Sequence, residues 1–189
     1  MKRSLGAKTL ALPTPTWLVG NYDDQGQPNA ATVAWGGICN SQPPSVAISL
    51  RAATYSHGNI VRRAAFTVSI PSEDHVRETD YFGLVSGAKE NKFAATRLTA
   101  VPSEVVDAPY VDECPLVLEC RVLHVHELGL HTQFVGEIVD VKADESVLTD
   151  KGNLNPALVH PIIFAPGTRT YHALGEKLGK AFFIGKSGD

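Results

Sequence analysis

Leu116-Val117-Leu118-Glu119-Cys120-Arg121-Val122 opens the stretch that decides the fold. Leu118, Cys120 and Val122 fall on one side of an extended backbone and Glu119 and Arg121 on the other, the alternation of a strand with one buried face. The run continues to residue 128, and Gln133-Phe134-Val135-Gly136-Glu137 carries a second strand on to Lys142. Leu128-Gly129-Leu130 is short enough for a hairpin, so these two longest strands are expected to pair.

Working outward, the first third of the chain also reads as antiparallel β. A strand over residues 16–22 leads through the turn Asp23-Asp24-Gln25-Gly26, whose glycine can take positive φ. Residues 29–36 return as a second strand that ends at Trp35-Gly36-Gly37. Pro43-Pro44 breaks the chain, and residues 45–50 form a third strand with Val46, Ile48 and Leu50 alternating. A short helix follows, capped by Thr54 or Ser56, with Ile60, Val61 and Ala64 as its apolar face. Residues 66–70 make a strand stopped by Pro71. Ser72-Glu73-Asp74 then starts a helix that carries Val76, Tyr81 and Phe82 and ends at Ser86-Gly87. Strands this closely spaced, without alternating long helices, predict a mainly β fold with short helices, closed as a barrel.

The 189 residues suit a single domain over positions 1–189, with 43% apolar and 20% charged residues. A net charge of −3 gives no basic field for nucleic acid. No apolar run is long enough for a membrane span, and Met1-Lys2-Arg3-Ser4-Leu5-Gly6 lacks the apolar core of a signal peptide. The expected location is the cytoplasm, with neither nucleic acid nor membrane as partner. Cys39, Cys114 and Cys120 are odd in number and scattered, as expected of reduced thiols.

Several signatures fail. No G-x-G-x-x-G follows a strand, and neither G-x-S-x-G nor H-E-x-x-H occurs. Gly185-Lys186-Ser187 echoes a P-loop end, but no helix can follow it, and residues 185–189 are expected to be a disordered tail. Ser86-Gly87-Ala88-Lys89 matches S-x-x-K without its companion motifs. His124, His126 and His131 could make a zinc site with an open position. No acidic residue stands at an obvious ligand spacing, and strand histidines more commonly form polar surface, so no metal is expected.

Three groups survive. Ser49-Leu50-Arg51-Ala52-Ala53-Thr54-Tyr55 sits where a strand meets a helix N-terminus, a place of free backbone N–H groups. Arg51 adds a planar cation suited to phosphate, and Ser49 and Thr54 add hydroxyls. Taken alone, an ordinary cap with a solvated arginine is the slightly favoured explanation of this group. Ser86-Gly87 and Lys92-Phe93 offer further donors, with Lys92 able to reach the same phosphate. Asn29-Ala30-Ala31-Thr32-Val33-Ala34-Trp35-Gly36 offers a strand of small residues on which a flat ring can lie, with Trp35 as a wall. A core tryptophan is the commoner fate of that residue.

In this order and spacing, these residues resemble the flavin reductase-like family with the FMN-binding split β-barrel, and its flavoredoxin branch most. The resemblance runs from Ser4-Leu5-Gly6-Ala7-Lys8-Thr9 to Gly179-Lys180-Ala181-Phe182. It is carried by Ala34-Trp35-Gly36-Gly37, by Ser49-Leu50-Arg51 with Thr54-Tyr55 and Asn59-Ile60, and by residues 129–137. It implies a homodimer with non-covalent FMN at or near the interface. Arg51, Ser49, Thr54, Ser86 and Lys92 would hold the phosphate and ribityl chain, with Leu50, Tyr55 and Gly87 in the same segments. Asn29, Thr32, Ala34 and Trp35 would line the isoalloxazine, Tyr171 would close the pocket, and His131 would be the catalytic residue near a nicotinamide. His172 stands where a second tyrosine is expected, and Asn91 where an aspartate is.

The implied activity is electron transfer through FMN. The donor is NAD(P)H or a reduced partner protein such as a ferredoxin, and the acceptor a flavin, an inorganic group or a protein. A carrier with no direct NAD(P)H oxidation, a non-redox flavin-binding barrel and a histidine-based metallohydrolase are the competing readings.

Overall fold

The computed structural model describes residues 1–186. The P-loop-like ending and the tail expected to be disordered fall partly on residues 187–189, outside the described residues.

After an irregular lead come β1 (Thr14–Pro15) and β2 (Trp17–Tyr22), then β3 (Pro28–Val33), β4 (Gly36–Ser41) and β5 (Pro44–Arg51). Helix α1 (Tyr55–Arg63) precedes β6 (Ala65–Ile70), and α2 (Val76–Leu84) and α3 (Lys92–Thr96) follow. A small ribbon, β7 (Ala100–Pro102) with β8 (Pro109–Val111), leads to the long pair β9 (Leu116–Glu127) and β10 (His131–Ala143). The chain closes with α4 (Pro156–Val159), β11 (Ile162–Ala165) and β12 (Thr170–Ala173). No helix among the described residues is long and apolar enough to cross a membrane.

The fold is mainly β with short helices, as the sequence predicts. Seven strands form one sheet in the order β3-β2-β6-β9-β10-β5-β4, with every pairing antiparallel. Its edge strands β3 and β4 are consecutive in the chain, separated only by Ala34 and Trp35. Two residues cannot cross a flat sheet this wide, so the sheet must curl until its edges meet. The edges do not pair with each other, which leaves the barrel split. Bulges in the β9–β10 ladder, between Val135 and Gly136 and between Ile138 and Asp140, supply part of the bend.

Alternation along β2 shows how the layers pack. Val19 points into the barrel with Ile48, Phe66, Val68 and Phe134, and Leu18 points outward into a second cluster with Phe82, Phe93 and Val111. Both residues are fully buried, so β2 is covered on both faces and α2 and α3 are pressed against the outside of the β2–β3 pair.

Several local expectations change. The strand expected over residues 29–36 stops at Val33, and a separate edge strand begins at Gly36. Ile60 is buried in α1 but Val61 is 55% exposed, because only one side of this short helix meets the barrel. The Thr54 hydroxyl does not cap that helix and donates instead to the Arg51 carbonyl, at 2.9 Å. The second helix ends at Leu84, before Ser86-Gly87. Glu119, expected on a polar face, is fully buried beneath the β7–β8 ribbon side of β6–β9 and pairs with Lys142 Nζ at 3.1 Å.

Candidate functional site

Between the outer face of β3 and helix α2 runs a groove with two ends. The wide end, about 510 Å³, is lined by Thr32, Ala34 and Trp35 from the barrel seam and by Asp80 of α2 and Tyr171 of β12. The narrow end, about 280 Å³, lies against Leu50, Thr54, Tyr55 and Ser56, with Gly87 and Lys92 opposite. Thr32, Gly83 and Leu84 line both ends, so the two form one continuous cleft. Gly83 lets α2 approach: a Cβ there would stand 3.2 Å from Thr32 Cβ.

Lys92 is the unusual residue of the narrow end. It opens α3 and is only 4% exposed. Its ammonium donates to the Ala30 and Phe82 carbonyls, the latter at 3.1 Å, and sits 5.2 Å from the Phe82 ring centroid. Burial pulls its pKa down to about 8. No carboxylate within ion-pair distance compensates it among the described residues. An ammonium carries three N–H groups, and the two carbonyls take two. A buried cation with one spare donor, in the wall of a cleft, is the group an anionic ligand would complete. Asn91 sets this geometry by accepting from Ala94 N at 3.1 Å, a cap that an aspartate would also make.

At the wide end the Tyr171 hydroxyl donates to Asp80 Oδ1 at 2.8 Å. Burial first, and the Asp80 carboxylate second, push the Tyr171 pKa up. Tyr171 also tilts against Phe164, with centroids 5.6 Å apart. Thr32 Oγ1 donates to the Thr79 carbonyl, which ties β3 to α2. Thr16, 1% exposed, also lines this end, and its hydroxyl has no protein partner.

The expected site residues divide into three groups, with Asn29 apart from them. Thr32, Ala34, Trp35 and Tyr171 meet at the wide end, and Leu50, Thr54, Tyr55, Ser86, Gly87 and Lys92 at the narrow end. Ser49, Arg51 and His131 line neither. Their neighbours Ile48, Leu50 and Thr132 are buried, so alternation turns these three to the opposite face of the sheet, where His131 stands opposite Arg51 in the β10–β5 ladder. The convergence of Arg51 and Lys92 on one cleft is therefore not what the structure presents: Lys92 is in it, and Arg51 is exposed outside. Asn29 also departs from its expected place against a ring. It is 5% exposed, and its Nδ2 donates to Asn21 Oδ1 and Ser56 Oγ, each at 2.9 Å.

His124 and His126 stack on the exposed part of β9 with centroids 5.9 Å apart. No group of three or more metal-ligating side chains is assembled among the described residues. The sequence reading missed Asp80, Thr16 and Arg169, all at the wide end, because none sits in a motif. Ser56 carried a signal, a hydroxyl at a helix start, but only as a cap.

Residues 9–171 match the family model described as the flavin reductase like domain, and the chain belongs to that family. Its structure is similar to the flavoredoxin of Desulfovibrio vulgaris (Miyazaki F): TM-score 0.95 and 56% identity, covering 98% of this chain and 100% of that one. The flavoredoxin of Methanosarcina acetivorans is similar at TM-score 0.91 and 28% identity, with 99% of each chain covered. A protein of Archaeoglobus fulgidus is 34% identical over 143 residues, which are 76% of this chain and 80% of its own length.

Proposed function

We propose that this chain binds FMN non-covalently in the groove and passes electrons through it. The observation that carries the reading is Lys92, a buried ammonium with an unspent donor at the narrow end of a cleft whose other end is walled by Trp35 and Tyr171. A phosphate monoester at one end and a flat aromatic ring at the other match that polarity. Membership of the flavin reductase like family and the likeness to two flavoredoxins support it.

When bound, FMN would supply the redox chemistry, and the protein would supply placement and electrostatics. Lys92, with the Ser86 hydroxyl, would hold the phosphate by charge-assisted and neutral hydrogen bonds, and Thr54, whose own proton goes to the Arg51 carbonyl, would border it. The Thr32–Trp35 segment and Leu84 would flank the ring, and the Tyr171–Asp80 pair would fix one border of the pocket. None of these residues needs to act as a nucleophile.

The likeness to flavoredoxins favours an electron carrier, fed by a reduced partner protein, over an enzyme that oxidises NAD(P)H directly. Arg51 and His131 belong in this account through a second copy of the chain. They share a sheet face with His124, His126 and Gln133 of the β9–β10 hairpin, which exposes Leu123 and Val125 on its other face and Leu128 and Leu130 at its tip. A homodimer that covers this apolar hairpin would bring both residues into an interface.

The test is spectral. The purified protein is expected to be yellow, with released FMN in near-stoichiometric amount, and a colourless protein that takes up no FMN would overturn the reading. Adding NADH or NADPH without oxygen separates the two forms of it: a flavin band that persists supports the carrier, and rapid bleaching supports the reductase. Light scattering should give twice the chain mass.

A further inference from the structure

Beneath the narrow end lies a buried amide cluster. Asn21, Asn29, Ser56 and Asn59 are each between 0% and 5% exposed. Their hydrogen bonds fix one another's orientation. Asn21 Nδ2 donates to the Val19 carbonyl at 3.1 Å, and a carbonyl can only accept. Asn21 therefore turns its Oδ1 toward Asn29 and Asn59, and both must meet it with Nδ2, at 2.9 Å each. The second N–H of Asn29 Nδ2 is directed at Ser56 Oγ, again at 2.9 Å.

This arrangement settles what the Ser56 hydroxyl can do. Its oxygen is occupied as an acceptor, facing the Asn29 amide nitrogen, which can only donate, and the buried Asn29 Oδ1 takes no hydrogen bond from it, so its own proton points away from the cluster. No acceptor on the protein takes that proton among the described residues. Ser56 is 2% exposed and lines the same narrow end as Lys92. One hydroxyl proton and one ammonium proton are thus left over in the wall of one cleft.

We propose that Ser56 donates to the ligand phosphate and that Asn29 is a positioning residue, holding Ser56 Oγ as an acceptor so that its O–H is aimed at the anion. The proposal rests on the FMN reading above. It specifies the ligand further: the narrow end selects a phosphate-bearing flavin over the same flavin without phosphate. It also gives Asn29 a role different from the one its sequence position suggests. Asn29 does not touch the ring and acts through Ser56.

The flavin-free full-length chain is titrated with FMN and with riboflavin, and the ratio of the two affinities is the readout. Ser56→Ala should lower FMN affinity about ten- to a hundredfold, as expected for a hydrogen bond to a charged group, and leave riboflavin affinity within a factor of about two. Asn29→Ala should lower the ratio as Ser56→Ala does, and the two losses should not add in the double variant. Asn29→Asp should lower it too, because a carboxylate would draw the Ser56 proton back toward itself.

An unchanged ratio in Ser56→Ala overturns the proposal, as do equal losses of FMN and riboflavin affinity in the Asn29 variants. If the Asn29 variants do not fold, Ser56→Ala decides alone. Failure of the wild type to bind either flavin would sink the FMN reading itself, a separate result from a wild type that binds both flavins equally well.

Discussion

Gly87 and Asn29 stand so close that a Cβ added to the glycine would lie 2.0 Å from Asn29 Oδ1 and 3.2 Å from Tyr55 Cδ1. The Asn29 amide cannot yield, because both its N–H groups are committed inside the buried cluster. Gly87→Ala should therefore cost about 1–3 kcal/mol, as overpacking does. The urea midpoint of the flavin-free protein measures it, and a midpoint equal to the wild type's would show that the loop moves aside freely.

Lys92 makes stability depend on pH in an unusual direction. Burial lowers its folded-state pKa to about 8. In the unfolded chain a lysine titrates near about 10.4, so between these two values the unfolded state binds more protons. The Lys92 contribution to stability thus rises with pH through that window and is flat below it. The shift corresponds to about 3 kcal/mol. Lys92→Met should remove the rise, which denaturant titrations of the flavin-free protein at a series of pH values would read out.

The same group sets the pH dependence of the ligand. A bound phosphate favours the charged lysine, so FMN affinity should fall by up to about tenfold per pH unit above pH 8. Lys92→Met should weaken FMN binding by about a hundredfold and abolish that fall. Arg51→Ala, outside the cleft, should cost less than Lys92→Met does. A larger loss in Arg51→Ala would mean that the arginine reaches the anion from another chain.

Tyr171 and Asp80 tie the C-terminal strand to α2 across the wide end. Tyr171→Phe leaves a carboxylate oxygen without its donor and should cost about 1–2 kcal/mol. The raised Tyr171 pKa adds a pH signature. Above the ordinary tyrosine range the unfolded chain ionises first, so stability from this group is lost as pH rises. Thermal unfolding on both sides of pH 10 should show a shallower alkaline decline in Tyr171→Phe than in the wild type.

The strands that could be read from sequence are those with one apolar face. Leu118, Cys120 and Val122 announce β9, and Val46, Ile48 and Leu50 announce β5, because branched or apolar side chains take every second position, even though Glu119 and Ala47 between them are buried as well. The edge strand Gly36–Ser41 gives no such signal: its outer residues are all exposed, and Gly36-Gly37 looks like an ending. Gly36 is there for packing, since a Cβ would stand 2.4 Å from the Trp17 ring.

The site was legible in its residue types more than in its directions. Arg51 and Lys92 both look like phosphate ligands, and only the pleat of β5 shows that one of them points away. Asn29 and Ser56 read as a ring contact and a helix cap because the amide cluster joining them spans 27 positions of sequence. Asp80 carries no motif, and only the fold brings it to Tyr171, 91 positions away.

The two residues that bridge the edges of the curled sheet, Ala34 and Trp35, also form a wall of the groove. A molecule lodged there lies along the line where the cylinder is unzipped, touching β3 on one side and α2 and β12 on the other. Filling the pocket is therefore expected to brace that seam, and limited proteolysis should cut the flavin-free protein there sooner than the loaded one.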